Sequence, residues 1–397
     1  MRKILVMIPA GEVYHHDNVR WYNYGDLPAH IDHYHNIGDA FVYDSSLKLL
    51  NFDMLDVVKI ANPTDADIAR YNAEFDYVFL RASNYIHPAM NWERAVPVLE
   101  KLKIPVVVFG IGAQAPSRGP LTLSDTTKRV LRLIADSTTS VGVRGTYTAE
   151  VLWDIGIKNV RIVGCPTAFR RKNPDLRIDL PPLEAVQRVG VTLRREVSPA
   201  YAQQVGRYLS LHRELVKDMA ARFDVELMAQ GEVEEKKLVL GTPEQKATAM
   251  VQLQGRPDAK YYFDETMLSL YKTKLFYSDV VADYERLVRT KDLVLGYRLH
   301  GNLMALANGV PAVYFTYDSR TTEFAETFSI PSFDVFADKP FRLEDFWDQA
   351  LFEKFNRAFY QRYRDMRDFF VENGIDHKMT GEHAGQSLPP QKERKVA

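Results

Sequence analysis

The residues best suited to chemistry in this sequence are Arg298-Leu299-His300-Gly301, directly after an apolar strand predicted over 293–297. An arginine at a strand end is always charged and can hold a carboxylate or phosphate through two parallel hydrogen bonds. A histidine two residues later titrates near neutral pH and can move a proton. Gly301 and Asn302 then open a predicted helix, Asn302–Asn308, ended by Gly309, and helix N-termini bind anions. The segment therefore predicts a site that binds an anion and transfers a proton.

Three other arginines, Arg81, Arg144 and Arg194, also directly follow predicted strands. For any one of them, pairing with a nearby aspartate or glutamate is the commoner arrangement, because structural ion pairs are frequent. For Arg298 the neighbouring histidine and helix start favour ligand binding instead. The alternative for His300 is a strand-end histidine bonded to backbone.

The N-terminal half offers two glycine-containing turns. Asn36-Ile37-Gly38-Asp39 leads into a helix, where Asn36 or Asp39 can cap the helix or bind a hydroxyl and Gly38 lets a ligand approach. The loop Gly110–Gln114 contains Gly112 and ends a strand, but it has neither GxGxxG nor the P-loop lysine. A dinucleotide or ATP site is therefore disfavoured.

Five of the ten histidines lie in the loop 9–35, together with aromatic residues. These residues are His15, His16, His30, His33, His35, Trp21, Tyr22 and Tyr24. Their spacing fits no standard closed zinc site, so no metal is expected. An acceptor lid that stacks rings on a sugar and a loop packed on the domain surface are both open. Cys165, the only cysteine, is interpreted as a small buried residue rather than a nucleophile.

Alternating strands and helices position these residues, as in βαβ units around parallel sheets. The predicted strands are Ile4–Ile8, Met54–Val58, Tyr77–Leu80, Pro105–Phe109, Ser140–Val143, Val160–Val163, Val189–Leu193, Val225–Met228, Leu293–Leu295 and Ala312–Phe315. The predicted helices include Gly38–Leu50, Asn91–Lys103, Ser124–Asp136, Thr146–Ile155 with Thr146 as its cap, and a long helix from Ser198-Pro199 to about Arg222. The carboxyl ends of such strands are where ligands bind.

We expect an α/β fold of two doubly wound, Rossmann-like domains facing across a cleft. The N-terminal domain is assigned to 1–175, the C-terminal domain to 186–340, C-terminal helices to 341–373 and a disordered tail to 374–397. A proline-containing linker spans 170–187, and Arg170-Arg171-Lys172 is interpreted as a solvated part of it. A length of 397 residues supports two domains.

Composition excludes several classes of protein. A formal net charge of −1 gives no electrostatic footprint for nucleic acid. One cysteine provides no disulfide framework, which fits a reducing compartment. The apolar N-terminal segment is too short for a signal peptide or a membrane span, so a cytoplasmic location is expected, with room for attachment at the inner face of a membrane.

Taken in series, the motifs resemble the polysaccharide pyruvyl transferases over roughly 36–325. The matching elements are Asn36-Ile37-Gly38-Asp39, Gly110–Gln114, Val143-Arg144, Val191-Thr192-Leu193-Arg194, and Arg298-Leu299-His300-Gly301 followed by Ala305 and Gly309-Val310-Pro311. The resemblance implies a two-domain fold similar to GT-B glycosyltransferases. It also implies transfer of a pyruvyl group from phosphoenolpyruvate to two sugar hydroxyls as a ketal, in exopolysaccharide or cell-wall polymer biosynthesis.

The resemblance implies roles for residues in both domains. It places Arg298, Leu299 and His300 against the donor, with Arg144 as a further donor-anion ligand. We expect His300 and Arg298 to be catalytic, with a protonated His300 delivering a proton, and Gly301 and Arg194 to bind the donor as well. The acceptor side of the cleft would comprise Asn36, Gly38, Asp39, Gly110, Gly112 and Gln114. No metal or cofactor is required; phosphoenolpyruvate is the co-substrate, and the partner is a saccharide acceptor, free or carried on a lipid or nucleotide.

Three departures leave the acceptor's identity open. Many members have serine where this chain has Gly296, and aspartate where it has Gly145. Many also lack the loop 9–35. Two rival functions remain, a nucleotide-sugar glycosyltransferase of GT-B architecture and a noncatalytic anion- or sugar-binding protein. The sequence does not indicate an oligomeric state.

Overall fold

The computed structural model describes residues 2–7, 12–15, 18–21, 31–34, 36–197, 199, 202 and 204–381, with the backbone alone for 12–15 and 18–21. Two units built on parallel sheets and flanking helices make up this part of the chain. The expected α/β class with two doubly wound units is confirmed, because each run of apolar strands is buried between amphipathic helices.

The N-terminal unit holds the first nine described strands. They are β1 (Lys3–Met7), β2 (Glu12–His15), β3 (Asn18–Trp21), β4 (Met54–Val57), β5 (Tyr77–Leu80), β6 (Val106–Val107), β7 (Phe109–Ile111), β8 (Val141–Val143) and β9 (Val160–Ile162). The helices are α1 (Ile37–Leu49), α2 (Asp65–Glu74), α3 (Val96–Lys101), α4 (Asp125–Ser137), α5 (Thr146–Asp154) and α6 (Pro166–Phe169). β2 and β3 form an antiparallel hairpin within the long first loop.

Parallel pairing orders these strands as β4-β1-β5-β6 and β7-β8-β9. Only Val108 separates β6 from β7, and its carbonyl accepts from Gly142 N at 3.0 Å, so one sheet continues into the other. The strand expected over 105–109 is therefore two strands. The helix expected over 91–103 begins at Val96, since Pro97 in its first turn suits a helix start.

The C-terminal unit is a single parallel sheet in the order β12-β11-β10-β13-β14-β15. Its strands are β10 (Arg188–Thr192), β11 (Asp224–Met228), β12 (Leu275–Phe276), β13 (Leu293–Gly296), β14 (Ala312–Thr316) and β15 (Ser332–Asp334). The helices are α7 (Val205–Arg222), α8 (Val233–Leu240), α9 (Pro243–Gly255), α10 (Ala259–Tyr262), α11 (Glu265–Thr273), α12 (Val281–Val288), α13 (Leu299–Leu306), α14 (Ser319–Phe328) and α15 (Gln349–Glu372). Short 3₁₀ turns occupy Leu183–Ala185 and Leu343–Asp345.

The last helix returns to the N-terminal unit. On α15, Phe370 packs edge-on against Phe109 of β7 at 5.0 Å between ring centroids, and Glu372 pairs with Arg161 of β9. Beyond it, Ile375 is buried and Lys378 N donates to the Leu49 carbonyl at 2.7 Å. Residues 374–381, expected to start a disordered tail, are therefore packed on α1, while 382–397 lie outside the described residues.

Arg170, expected in a solvated linker, is instead buried between the two units. Its guanidinium bonds Asp44 of α1 at 2.8 Å and Glu285 of α12 at 2.6 Å. The sequence could not show this arrangement, because both carboxylates are more than a hundred residues away. The predicted helix start at Ser198 lies outside the described residues, and the described helix α7 begins at Val205.

Candidate active site

The site lies between β10 and β13 of the C-terminal sheet, where the direction in which the chain adds strands reverses. The chain runs from β10 to one edge of the sheet and from β13 to the other, and such a switch point is the usual ligand crevice of a doubly wound fold. Thr192 and Gly296 are paired at the ends of these two strands. Arg194 and Arg298 follow them by two residues each, so the fold brings both arginines to the crevice.

Arg298 occupies the cap position of α13 and is held on three sides. Its Nε donates to the Leu193 carbonyl at 2.8 Å, its Nη1 to the Tyr34 hydroxyl at 3.3 Å, and its Nη2 to the buried carboxylate of Glu232. Burial alone would lower the pKa of Arg298, but Glu232 and Tyr34 raise it well above its usual value. Arg298 thus has the carboxylate partner that the sequence interpretation had discounted for it.

His300 is the second residue of α13, which begins at Leu299 and not at the expected Asn302. Gly301 lies inside the helix and packs against Gln230 and Thr192, where a side chain would collide. The His300 ring is buried, edge-on to Phe324 at 6.4 Å between centroids. Among the described residues, its Nε2 has no hydrogen-bond partner.

Electrostatics keep His300 neutral in the protein alone. Burial lowers its pKa well below the ordinary value, and Arg144, Arg320, Arg81 and Arg298 lower it further. The protonated His300 expected in the donor complex is therefore not the form of the protein alone. A negatively charged ligand among these arginines would raise the pKa of His300.

Arg144 reaches the same place from the N-terminal unit, directly after β8. Its Nη1 donates to Asn84 Oδ1 at 2.6 Å, and its buried Nε has no partner among the described residues. The guanidinium lies over Gly112, where an added Cβ would be 2.6 Å from Nη1. Within the described part of the chain, no carboxylate forms an ion pair with Arg144, and burial lowers its pKa.

Arg194 and Arg320 share one phenol. The Tyr317 hydroxyl accepts from Arg194 Nη1 at 2.7 Å and from Arg320 Nη2 at 3.0 Å. Arg320 also lies 3.7 Å from the Asp318 carboxylate, whereas no described carboxylate pairs with Arg194. Sequence reasoning missed Arg320, because it lies in the first turn of α14, four residues after β14, and does not directly follow a strand.

The predicted turn at the start of α1 also joins the site. Asn36 caps α1 by accepting from Gly38 N at 3.2 Å. A Cβ on Gly38 would lie 3.2 Å from both His300 Nδ1 and Gln230 Oε1, so glycine permits the close contact between units. Asp39 lies to the side, 3.7 Å from Arg81.

Gln230 was missed by the sequence analysis because it follows β11 in a stretch without a motif. It is buried, its carbonyl accepts from Ile37 N at 2.8 Å, and its Nε2 has no partner among the described residues. It therefore joins the two units at the edge of the site.

The loop expected on the acceptor side mainly joins the two units. Gln114 Nε2 donates to Asp318 Oδ2 at 3.1 Å, and Ala115 N donates to Ser319 Oγ at 2.9 Å, both at the start of α14. Gly110 turns the chain with φ +83°, a conformation that favours glycine. Of the predicted residues in this loop, Gly112 has the direct link to the site, through Arg144.

Two glycines at unusual positions have structural explanations. Gly296 has φ +130°, and a Cβ there would lie 2.5 Å from the Thr192 carbonyl, so serine would be strained. Gly145, rather than the expected Thr146, is the cap residue of α5 and offers no side chain. Glu323 of α14 fills that space and caps α5 from outside, accepting from Thr148 N at 2.6 Å.

The described end of the long loop reaches the C-terminal unit. Asp32 pairs with Lys237 of α8, and the His33 carbonyl accepts from Lys236, whose pKa burial lowers to about 8. The side chains of His15 and Trp21, and all of His16, Tyr22, Tyr24, His30 and His35, lie outside the described residues. Tyr34 nevertheless places this loop against Arg298.

The remaining candidate features are the cysteine, a metal site and a membrane-spanning helix. Cys165 is buried, and burial raises the pKa of its thiol, as expected for a structural cysteine. Within the described ranges, no three histidine, cysteine, aspartate or glutamate side chains gather as a metal site would require. Along the same ranges, each helix is too short or too polar to cross a bilayer.

Comparisons with known proteins give one match by sequence. The family model described as polysaccharide pyruvyl transferase matches residues 36–319. No curated protein matches the chain.

Solved structures are similar at low identity. A glycosyltransferase from Rickettsia africae shares 9% identity at a TM-score of 0.44, with 94% of this chain and 96% of that chain covered. A putative UDP-N-acetylglucosamine 2-epimerase from Listeria monocytogenes shares 12% identity at a TM-score of 0.39, with 94% of each chain covered.

Proposed function

The chain belongs to the polysaccharide pyruvyl transferase family, and on that premise we propose that it transfers a pyruvyl group from phosphoenolpyruvate to two hydroxyls of a saccharide, forming a cyclic ketal. The observation that carries the proposal is a pair of arginines without carboxylate partners among the described residues. Arg144 comes from one unit and Arg194 from the other, and a largely neutral histidine lies among the arginines.

The donor suits this arrangement because it carries a carboxylate and a phosphate. A buried cation without a counterion is costly, so an anionic ligand is the expected partner of Arg144 and Arg194. Several unpartnered buried N atoms near them can donate or accept hydrogen bonds. They are Arg144 Nε, Arg194 Nε, Arg320 Nε, Gln230 Nε2 and His300 Nε2. Arg298, already neutralised by Glu232, contributes a fixed guanidinium whose Nη1 faces Tyr34.

In the proposed reaction His300 donates a proton and later takes one back. Binding of the anionic donor raises the proton affinity of His300, which then protonates the methylene carbon of the donor. One sugar hydroxyl adds to the resulting cationic centre and returns its proton to His300. Phosphate leaves with the proton of the second hydroxyl, which closes the ketal. The arginines stabilise the departing charge, and no further reactant is needed.

The remaining parts of the proposal concern the acceptor, the location of the enzyme and its co-substrate. The acceptor belongs to exopolysaccharide or cell-wall polymer biosynthesis, and a lipid-linked acceptor would place the enzyme at the cytoplasmic face of a membrane. Phosphoenolpyruvate is the co-substrate, and neither metal nor cofactor enters the scheme.

The deciding experiment measures phosphate release from phosphoenolpyruvate with and without saccharide acceptors. We expect release to require an acceptor, to vanish in His300→Gln, and to persist in His377→Gln, a half-buried histidine packed on Phe370 far along α15. Donor binding should survive in His300→Gln. Near-normal turnover in that variant would refute the role of His300, and binding of UDP or GDP in place of phosphoenolpyruvate would favour a nucleotide-sugar glycosyltransferase.

A further inference from the structure

A cavity of about 330 Å³ lies between the two units. Loop 116–118 of the N-terminal unit forms one wall, and the ends of β14 and β15 with the first turn of α14 form the other. Its volume falls at the lower end of the range for small-molecule sites. Neither the motifs nor the proposed donor chemistry assigns it a ligand.

The lining chemistry differs from that of the arginine cluster. Hydroxyls come from Thr316, Ser319 and Thr322, carboxylates from Asp318 and Asp334, and an aromatic face from Phe336. The Arg118 guanidinium at the rim pairs with Glu326. Among the described lining residues, no cation is therefore left unpaired for a phosphate, while Asp334 remains an exposed carboxylate.

Several of these groups can still bind a polyol. Ser319 Oγ accepts from Ala115 N at 2.9 Å, which leaves its own hydrogen to donate. Asp334 is exposed and uses Oδ1 for Phe336 N at 2.9 Å, so its Oδ2 can accept from a ligand hydroxyl. Asp318, in contrast, already bonds Thr321 N and Gln114.

Tyr317 connects the cavity to the donor region. Tyr317 is one of the residues that line the cavity, and its hydroxyl accepts from Arg194 and Arg320. The cavity and two of the arginines thus share one residue, Tyr317. The two chemistries are complementary, since one region selects an anion and the other an uncharged polyhydroxyl group.

We propose that this cavity is the acceptor subsite and that it binds an uncharged pyranose unit of the saccharide, with Asp334 and Phe336 as its main contacts. The identification of this sugar as the acceptor rests on the proposed function. Sugar binding in the cavity does not depend on turnover. It moves the acceptor contacts from the predicted glycine turn at Gly38 to the ends of β14 and β15. It also means that the sugar unit at the cavity carries no phosphate.

The test is saturation-transfer NMR on the full chain with the methyl glycosides of glucose, galactose and mannose, and with inorganic phosphate as a competitor. We expect at least one glycoside to bind and phosphate not to displace it. Asp334→Asn, which keeps the oxygen that accepts from Phe336 N, and Phe336→Ala should each weaken binding at least fivefold. Asp338→Asn, an exposed aspartate of the same loop outside the cavity, is the matched control and should leave binding unchanged.

Binding of none of the glycosides, unchanged binding in both cavity variants, or displacement by phosphate would each overturn the proposal. Glycoside binding that depends on Asp334 in a protein that never releases phosphate from phosphoenolpyruvate would refute only the proposed function. Where turnover is measured, Asp334→Asn should raise the acceptor KM and leave the phosphoenolpyruvate KM unchanged.

Discussion

Protonation of His300 on donor binding is the sharpest consequence of the site's electrostatics. Burial and four arginines hold the pKa of His300 low, so the ring is neutral near pH 7 in the protein alone. A unit negative charge about 5 Å away contributes roughly 3 kcal/mol at an effective dielectric constant near 20. Two such charges contribute roughly 6 kcal/mol, which raises the affinity of His300 for a proton about ten-thousandfold. Donor binding should therefore draw a proton from solvent.

Calorimetric titration with phosphoenolpyruvate at pH 7.5, in buffers of different ionisation enthalpy, counts this proton. The phosphate is almost fully ionised at this pH, since phosphomonoesters titrate near pH 6, and should not contribute uptake of its own. We expect the slope of binding enthalpy against buffer enthalpy to show net proton uptake in the wild type and in His377→Asn. It should fall to near zero in His300→Asn. A wild-type slope of zero, or an unchanged slope in a His300→Asn protein that still binds, would refute the reasoning.

Two further predictions concern packing and pH. Gly112→Ala places a Cβ 2.6 Å from Arg144 Nη1 and should raise the phosphoenolpyruvate KM at least tenfold in a phosphate-release assay. The control Gly119→Ala, where an added Cβ has no atom within 4 Å, should leave the KM unchanged. Equal KM values in the two variants would contradict the position of Arg144. Burial lowers the pKa of His212 to about 3, so the fold excludes a proton that the unfolded chain binds below about pH 6.5. The free energy of unfolding therefore decreases as pH falls, by roughly 2 kcal/mol at pH 5. Urea unfolding of His212→Leu should accordingly show a smaller loss of stability between pH 7 and pH 5 than the wild type, and parallel losses would contradict it.

The sequence predicted the framework of the site because that framework has a local signal. Apolar strands followed by charged residues can be recognised within ten residues, and the carboxyl ends of parallel strands share one edge of a sheet. Arg144, Arg194, Arg298 and His300 were all found in this way, and the structure brings them together. Gly38 was found through the turn that precedes its helix.

The partners of these residues have no local signal. Glu232 bonds Arg298 in the structure but precedes it by 66 residues in sequence. Gln230 lies two residues before Glu232, where no motif marks it. The start of α13 was placed three residues late because Gly301 was taken as a helix opener, whereas packing against Gln230 requires a glycine inside the helix.

Arg298 shows why pairing with a carboxylate and a role in anion binding are compatible. Its ion pair with Glu232 removes its net charge from the cluster and fixes its direction, while the backbone bond to Leu193 fixes its position. The positive charge left for a ligand then comes from Arg144 and Arg194, for which the described residues supply no carboxylate. One of these arginines belongs to each unit. The useful question for such a site is therefore how much charge remains unpaired, and on which side of the cleft, rather than which arginine lies nearest the histidine.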